Sequence, residues 1–177
     1  FQERLLSAAE RYGGLDVLFN NAGVGESSSF RETTVEHRDQ LIDVNINGVW
    51  NGCHAALPIL EESGGGSIIN TSSLAGWKSA PITTYALTKA AILHFTQCVA
   101  GEMAQSGVRV NALCPGLIDT AMTDEWYSDD EREWMRQQTA LDRWADPSEV
   151  ASCVAFLASE DASYITGRAL KVDAGYV

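Results

Sequence analysis

Gly64-Gly65-Gly66-Ser67-Ile68-Ile69-Asn70-Thr71 puts a three-glycine break before a short run centred on two isoleucines. A break followed by so brief an apolar run reads as a buried strand, of the kind found in the middle of a parallel sheet. Working outward, three further segments read the same way. Leu15-Asp16-Val17-Leu18-Phe19 follows Gly13-Gly14, Val108-Arg109-Val110-Asn111-Ala112-Leu113 is ended by Pro115-Gly116, and Ala169-Leu170-Lys171-Val172 closes the series. Helical patterns fill the gaps. One spans Thr34 to Asp43 behind a threonine cap. A second, Ile46 to Glu62, carries Val49, Cys53, Ala56, Leu57 and Leu60, and Pro58 is expected to bend or end it. The longest is Thr84 to Gln105. Asp146-Pro147-Ser148-Glu149 combines a cap acid, a first-turn proline and a third-position glutamate, which starts a helix striped by Val150, Val154 and Leu157. Strands alternating with helices predict parallel strands in a doubly wound α/β sheet, within a single domain over residues 1–177.

Bulk properties narrow the function. With 45% hydrophobic residues the chain can bury a core, and its net charge of −12 opposes nucleic acid and anionic membrane surfaces. No apolar run nears the roughly 20 residues of a membrane span, and the first residues do not form a secretion signal. A cytoplasmic enzyme with a small-molecule substrate is the simplest expectation. Cys53, Cys98, Cys114 and Cys153 are scattered without a Cys-x-x-Cys pair, so neither a zinc site nor a disulfide framework is indicated. His37, His54 and His94 lack metal-ligand spacing and read as surface or packing residues; no metal is expected.

Four short patterns carry chemistry. Tyr85-Ala86-Leu87-Thr88-Lys89 stacks a phenol and an ammonium on one helical face. A free phenol titrates at about 10, and a neighbouring cation lowers that value toward an acid/base range; alone, the pattern is weak and reads first as ordinary helix surface. Asn70-Thr71-Ser72-Ser73-Leu74-Ala75-Gly76 lies where an open α/β sheet binds ligands, beyond the carboxyl end of a strand. Its serines are either substrate-binding hydroxyls or turn caps. Asn20-Asn21-Ala22-Gly23 is either a close approach for a cofactor or a plain Asx turn. Asn45, in Asp43-Val44-Asn45-Ile46-Asn47-Gly48, is either a helix cap, the reading preferred from the residues alone, or a buried site residue.

Taken in order, these patterns, followed by Pro115-Gly116-Leu117-Ile118-Asp119-Thr120 and Thr166-Gly167 leading to Val172-Asp173-Ala174-Gly175, resemble the short-chain dehydrogenase/reductase family along essentially the whole chain. The resemblance implies a partial, Rossmann-like doubly wound sheet with helices on both faces. It also implies hydride transfer between a nicotinamide cofactor, NAD or NADP, and the carbonyl or alcohol carbon of a ketone or alcohol. By the same resemblance Tyr85 is the general acid/base, Lys89 lowers its pKa and holds the nicotinamide ribose, Ser73 orients the carbonyl, and Asn45 completes a proton relay. Asn21, Ala22 and Gly23 line the adenosine side of the cofactor, while Pro115, Gly116, Ile118 and Thr120 grip the carboxamide. Asp119 to Arg143 corresponds to a mobile cover, whose Met122, Trp126, Tyr127, Trp134 and Met135 suggest an apolar substrate; a solvated helix with packing aromatics is the other reading. Assembly as a homo-oligomer, tetramer or dimer, is implied as well, with Ile92, Phe95 and Val99 as apolar candidates for contact.

Departures accompany the match. Ser73 precedes Tyr85 by twelve residues, one fewer than a common family spacing, so Ser72 is held in reserve. Asp173-Ala174-Gly175 replaces the commoner Asp-Gly-Gly. The glycine-rich Gly-x-x-x-Gly-x-Gly that receives the pyrophosphate does not occur in the sequence. The expectation is therefore a partial chain of a longer enzyme, inactive by itself, with a strand at residues 15–19 left as an exposed edge. The alternative is a non-catalytic remnant acting at most as an assembly partner.

Overall fold

A computed structural model describes residues 2–25 and 27–176. Its elements run α1 (Gln2–Tyr12), β1 (Val17–Asn20), α2 (Val35–Ile42), α3 (Gly48–Glu62), β2 (Gly66–Thr71), α4 (Thr83–Met103), β3 (Val108–Pro115), α5 (Ala121–Trp126), α6 (Asp129–Arg136), α7 (Pro147–Ala158) and β4 (Ala169–Val172). All four expected strands form, and they pair in parallel in the order β1-β2-β3-β4. Helices cover both faces, as a doubly wound sheet requires. Ile68 turns to a core built from α3 and α4, with Val49, Cys53, Leu60, Ile92 and Val110. Its neighbour Ile69 turns the other way, to Leu113 and Leu157 beneath α7. The period of two along a strand thus supplies both cores from one short run.

Three sequence expectations change. The helices read at Thr34–Asp43 and Ile46–Glu62 are joined by a π-helical turn at Asp43–Asn47, since nothing between Ile42 and Gly48 breaks the helix. Nor does Pro58 end α3, which continues to Glu62. Pro58 and His54, whose carbonyl loses its partner, are both exposed, so water can satisfy that group. Ile92 and Val99 are 1% and 9% exposed in the α3–α4 core, with Phe95 packed against it, so they are not an assembly surface. The edge expectation agrees with the structure: β1 lies at one margin of the sheet, with Val17 and Phe19 each 38% exposed.

A polar link crosses the apolar layer at the carboxyl ends of β1 and β2. The Asn20 amide donates to Asn70 Oδ1 (2.9 Å), and Asn70 Nδ2 donates to Thr96 Oγ1 on α4 (3.0 Å). Being fully paired, these groups position the strand ends without an unsatisfied buried charge or dipole. Gly52 on α3 makes the arrangement possible, because a Cβ there would overlap the Asn20 amide. Gly52→Ala must therefore displace Asn20 or lift α3, and we expect it to lower unfolding free energy by about 1–3 kcal/mol in denaturant titration. Unchanged stability would show that Asn20 is not held as described.

Candidate active site

The carboxyl ends of β1, β2 and β3 open on a cavity of about 1200 Å³. Residues 21–24 form one wall, 71–82 a second and 115–120 a third, and α5 and α6 lie over it. Parallel strands explain the convergence: every loop following a strand emerges at the same end of the sheet.

Tyr85 and Lys89 sit in the first turns of α4 and both line the cavity. Ser73 leaves the end of β2, where its hydroxyl accepts from Ala75 N (3.2 Å) and its side chain hydrogen-bonds Tyr85. The reserve residue is used differently: Ser72 is buried, and its hydroxyl donates to the Lys89 carbonyl at 2.7 Å. Ser73 is thus the serine brought to the phenol. Lys89 is 4% exposed, donates to the Thr71 carbonyl at 3.0 Å, and stands 5.5 Å from the Tyr85 ring centre. Burial pulls its pKa down to about 8, because an ammonium is costly to desolvate. Tyr85 departs from the sequence expectation. Burial is the largest influence and raises its pKa, the Ser73 hydrogen bond opposes it, and Tyr127 adds to the rise. The desolvation of a phenolate here outweighs any help from a cation beyond the ring.

Asn45 does not cap a helix. It is 1% exposed in the π-helical turn, which turns its amide inward. Asn45 Oδ1 accepts from Val24 N (2.9 Å), while Nδ2 donates to Val24 O (2.8 Å) and to Thr88 Oγ1 (3.1 Å). Thr88 in turn donates to the Tyr85 carbonyl at 2.8 Å. The Asn21–Gly23 segment borders the cavity, with Asn21 Oδ1 accepting from Thr71 Oγ1 (3.2 Å). A Cβ at Gly23 would stand 3.4 Å from Lys89 Nζ, so the backbone there is bare beside the ammonium. Across the cavity, Pro115, Gly116, Ile118 and Thr120 form the third wall. Thr120 caps α5 through a reciprocal pair with Thr123, and Ile118 bridges to Ala145.

Trp126 and Tyr127 of the cover turn inward, whereas Trp134 is 60% exposed. Trp126 meets Tyr85 edge-on, with ring centres 5.9 Å apart, and lies over Gly25, where no side chain would fit. Tyr127 contacts both Trp126 and Trp144. Asn20, Asn70 and Thr88 stand inside the quoted patterns but had no role assigned there, and Trp144 stood in none. The one signal at Thr88 is a hydroxyl between Tyr85 and Lys89, and only the fold buries it. Burial raises Cys114 and takes the Cys53 thiol up to about 11, so neither resembles an activated nucleophile. Among the described residues no three His, Cys, Asp or Glu side chains group as a metal site, and no helix is long and apolar enough to cross a membrane.

Comparison with known proteins fits this geometry. A family model described as Enoyl-(Acyl carrier protein) reductase matches residues 2–177. Oxidoreductase UcpA of Escherichia coli K12 is 42% identical over 177 residues, covering 95% of this chain and 67% of that protein. The 2-(R)-hydroxypropyl-CoM dehydrogenase of Xanthobacter autotrophicus is 38% identical over 178 residues, covering 97% of this chain and 71% of its own. The crystal structure of a gluconate 5-dehydrogenase from Burkholderia cenocepacia, in complex with NADP and tartrate, superposes with a TM-score of 0.94 at 28% identity, over 98% of this chain and 69% of that one. With sheet, cavity and the family match over residues 2–177 in agreement, the chain belongs to the short-chain dehydrogenase/reductase family.

Proposed function

We propose that the protein is an NAD(P)-dependent oxidoreductase that interconverts a small-molecule alcohol and its ketone or aldehyde, with Tyr85 as the general acid/base. The observation carrying this reading is the meeting of the Tyr85 phenol, the Ser73 hydroxyl and the Lys89 ammonium at one cavity wall. The bare backbone at Gly23 beside Lys89 Nζ, and the wall at 115–120, fit a ribose and a nicotinamide. No segment of this sequence supplies the glycine loop for the phosphates, so the fit concerns the nicotinamide half of the cofactor. When bound, that cofactor supplies or accepts the hydride.

The chain's own residues then have separable tasks. In reduction Tyr85 gives its proton to the substrate oxygen, and in oxidation it takes one back. Ser73 donates to the same oxygen and holds it within reach of the phenol. Below its pKa of about 8, Lys89 is an ammonium with one proton on the Thr71 carbonyl, and its other two would be available to hold the ribose of a bound cofactor. Asn45 and Thr88 keep the loop after β1 and the start of α4 in register. The cover excludes water from the reacting carbonyl. Assembly as a homo-oligomer belongs to this reading, through exposed apolar groups such as Phe156 and Tyr164 rather than the buried Ile92 and Val99.

In a protein that also carries the phosphate-binding glycine loop, Tyr85→Phe should lower kcat by roughly two to four orders of magnitude while cofactor affinity stays nearly constant. Near-normal turnover in that variant would remove Tyr85 from the role. Ser73→Ala should reduce kcat about tenfold or more, whereas Ser72→Ala should act on thermal stability through the lost bond to Lys89; the reverse pattern would exchange the two serines.

Lys89 also predicts a pH dependence of stability. Its folded pKa, about 8, lies below the ordinary value of 10.5, so its buried charge costs stability wherever both states are protonated, below pH 8. As pH rises from 8 to 10.5 the folded state sheds the proton first and the cost disappears. Relative to Lys89→Met, the unmodified protein should gain up to roughly 3 kcal/mol over that interval in denaturant titrations. Parallel pH profiles for the two proteins would contradict this.

A further inference from the structure

Residues 119–149, the cover with the first turn of α7, carry three arginines against ten carboxylates, and no lysine. All three arginines are neutralised within this stretch. Arg132 binds Asp119 (2.6 Å) and Asp124 (2.9 Å) and stacks on Trp144 at 4.2 Å. Arg136 pairs with Glu133 at 2.7 Å and with Asp142, and Arg143 pairs with Glu149 at 2.7 Å. Among the described residues, the acids that border the cavity are engaged as well. Glu131 accepts from Ser128 N and Oγ (2.9 and 2.8 Å), and Glu32 accepts from Ser29 N and Oγ (3.1 and 2.6 Å), each closing its own turn. Lys78, the remaining cavity cation besides Lys89, lies 4.9 Å over the Tyr176 ring and is solvent-exposed. Trp126 meets the Tyr85 ring edge-on, and Tyr127, Met122, Met135 and Ile82 add large side chains to the lining of the same cavity.

Resting on the oxidoreductase reading, we propose that the substrate is an uncharged alcohol or ketone with an aromatic or comparably bulky apolar body, and that carboxylate-bearing substrates are rejected. An apolar body gains by leaving water against Trp126 and Met135. A carboxylate must shed its hydration beneath a cover whose charge is strongly negative and whose cations are already bound, so its Coulombic return is small. A cation is drawn by the same negative charge, but it must shed its own hydration against Trp126 and Met135 and finds Glu131 and Glu32 turned to Ser128 and Ser29 rather than free to pair with it. Trp126 is the specificity-determining side chain, since its ring closes the cavity between Gly25 and Tyr85.

The test uses three ketones with one reacting group: 4-methylacetophenone, 4-acetylbenzoate and 4-(aminomethyl)acetophenone. Binding is read by quenching of tryptophan fluorescence in the purified protein without cofactor, and kcat/KM is read with NADH and NADPH. The methyl compound should bind and react at least about tenfold better than either charged ketone, and Trp126→Ala should erase most of that preference. Equal or tighter binding of the benzoate overturns the proposal, and if Lys78→Gln then abolishes that binding, Lys78 is the anion anchor instead. Preference for the amine, or no binding of any ketone, overturns it too. The predicted order in binding, with no turnover even in a protein that also carries the phosphate-binding glycine loop, would sustain the substrate class and remove the oxidoreductase reading. Turnover led by the benzoate would do the opposite.

Discussion

Three hydrogen bonds to and from one buried carboxamide, that of Asn45, tie the loop after β1 to the start of α4, two sides of the cavity. Asn45 receives the Val24 N–H and returns a proton to the Val24 carbonyl, so the loop after β1 is gripped as a strand neighbour would grip it. Its second amide proton goes to Thr88, whose own proton goes to the Tyr85 carbonyl. A carboxamide alone offers an acceptor and two donors in that plane; a carboxylate would place charge against the Val24 oxygen. The π-helical turn is what aims it, since the wider turn rotates Asn45 off the solvent face and into the fold. Loop, turn and the start of α4 consequently move together or not at all.

Two kinds of interior meet at this point. Beneath the cavity the sheet is conventional, with alternate residues of β2 feeding opposite apolar cores. At the strand ends the interior becomes polar but fully paired, through Asn20, Asn70 and Thr96 on one side and Ser72 with the α4 backbone on the other. Such paired dipoles cost little once formed and strain the fold if one member is removed. They hold fixed the short distances among Ser73, Tyr85 and Lys89, which no apolar packing would specify so closely.

Burial governs the electrostatics of the same groups more than proximity does. A four-residue offset on a helix suggests a phenol eased toward ionisation by its lysine. In the folded protein both groups are pushed toward their neutral forms, the tyrosine upward and the lysine downward to about 8, because each is desolvated beneath the cover. Ser73 is the group that offsets the rise at Tyr85. The cover supplies this dryness with Trp126 and Tyr127, while its arginines and carboxylates satisfy one another outside the reacting centre.

Local sequence carried the strands, the sheet class and the order of the motifs. Glycine breaks, β-branched runs and caps act over a few residues, so β2 between Gly64 and Ser72, or the start of α7 at Asp146, is visible without a neighbour. Tyr85, Lys89 and the serine pair were legible for the same reason, as spacings along one helix and one strand end. Which serine reaches the phenol, whether Asn45 caps or clamps, and which way the two pKa values move were not. Each depends on contacts between segments tens of residues apart: Ser72 with the Lys89 carbonyl, Asn45 with Val24 and Thr88, Trp126 with Gly25 and Tyr85. Short-range propensity fixes the direction of a chain, but desolvation and hydrogen-bond partnership are properties of the space that folding encloses, and only the tertiary structure decided them.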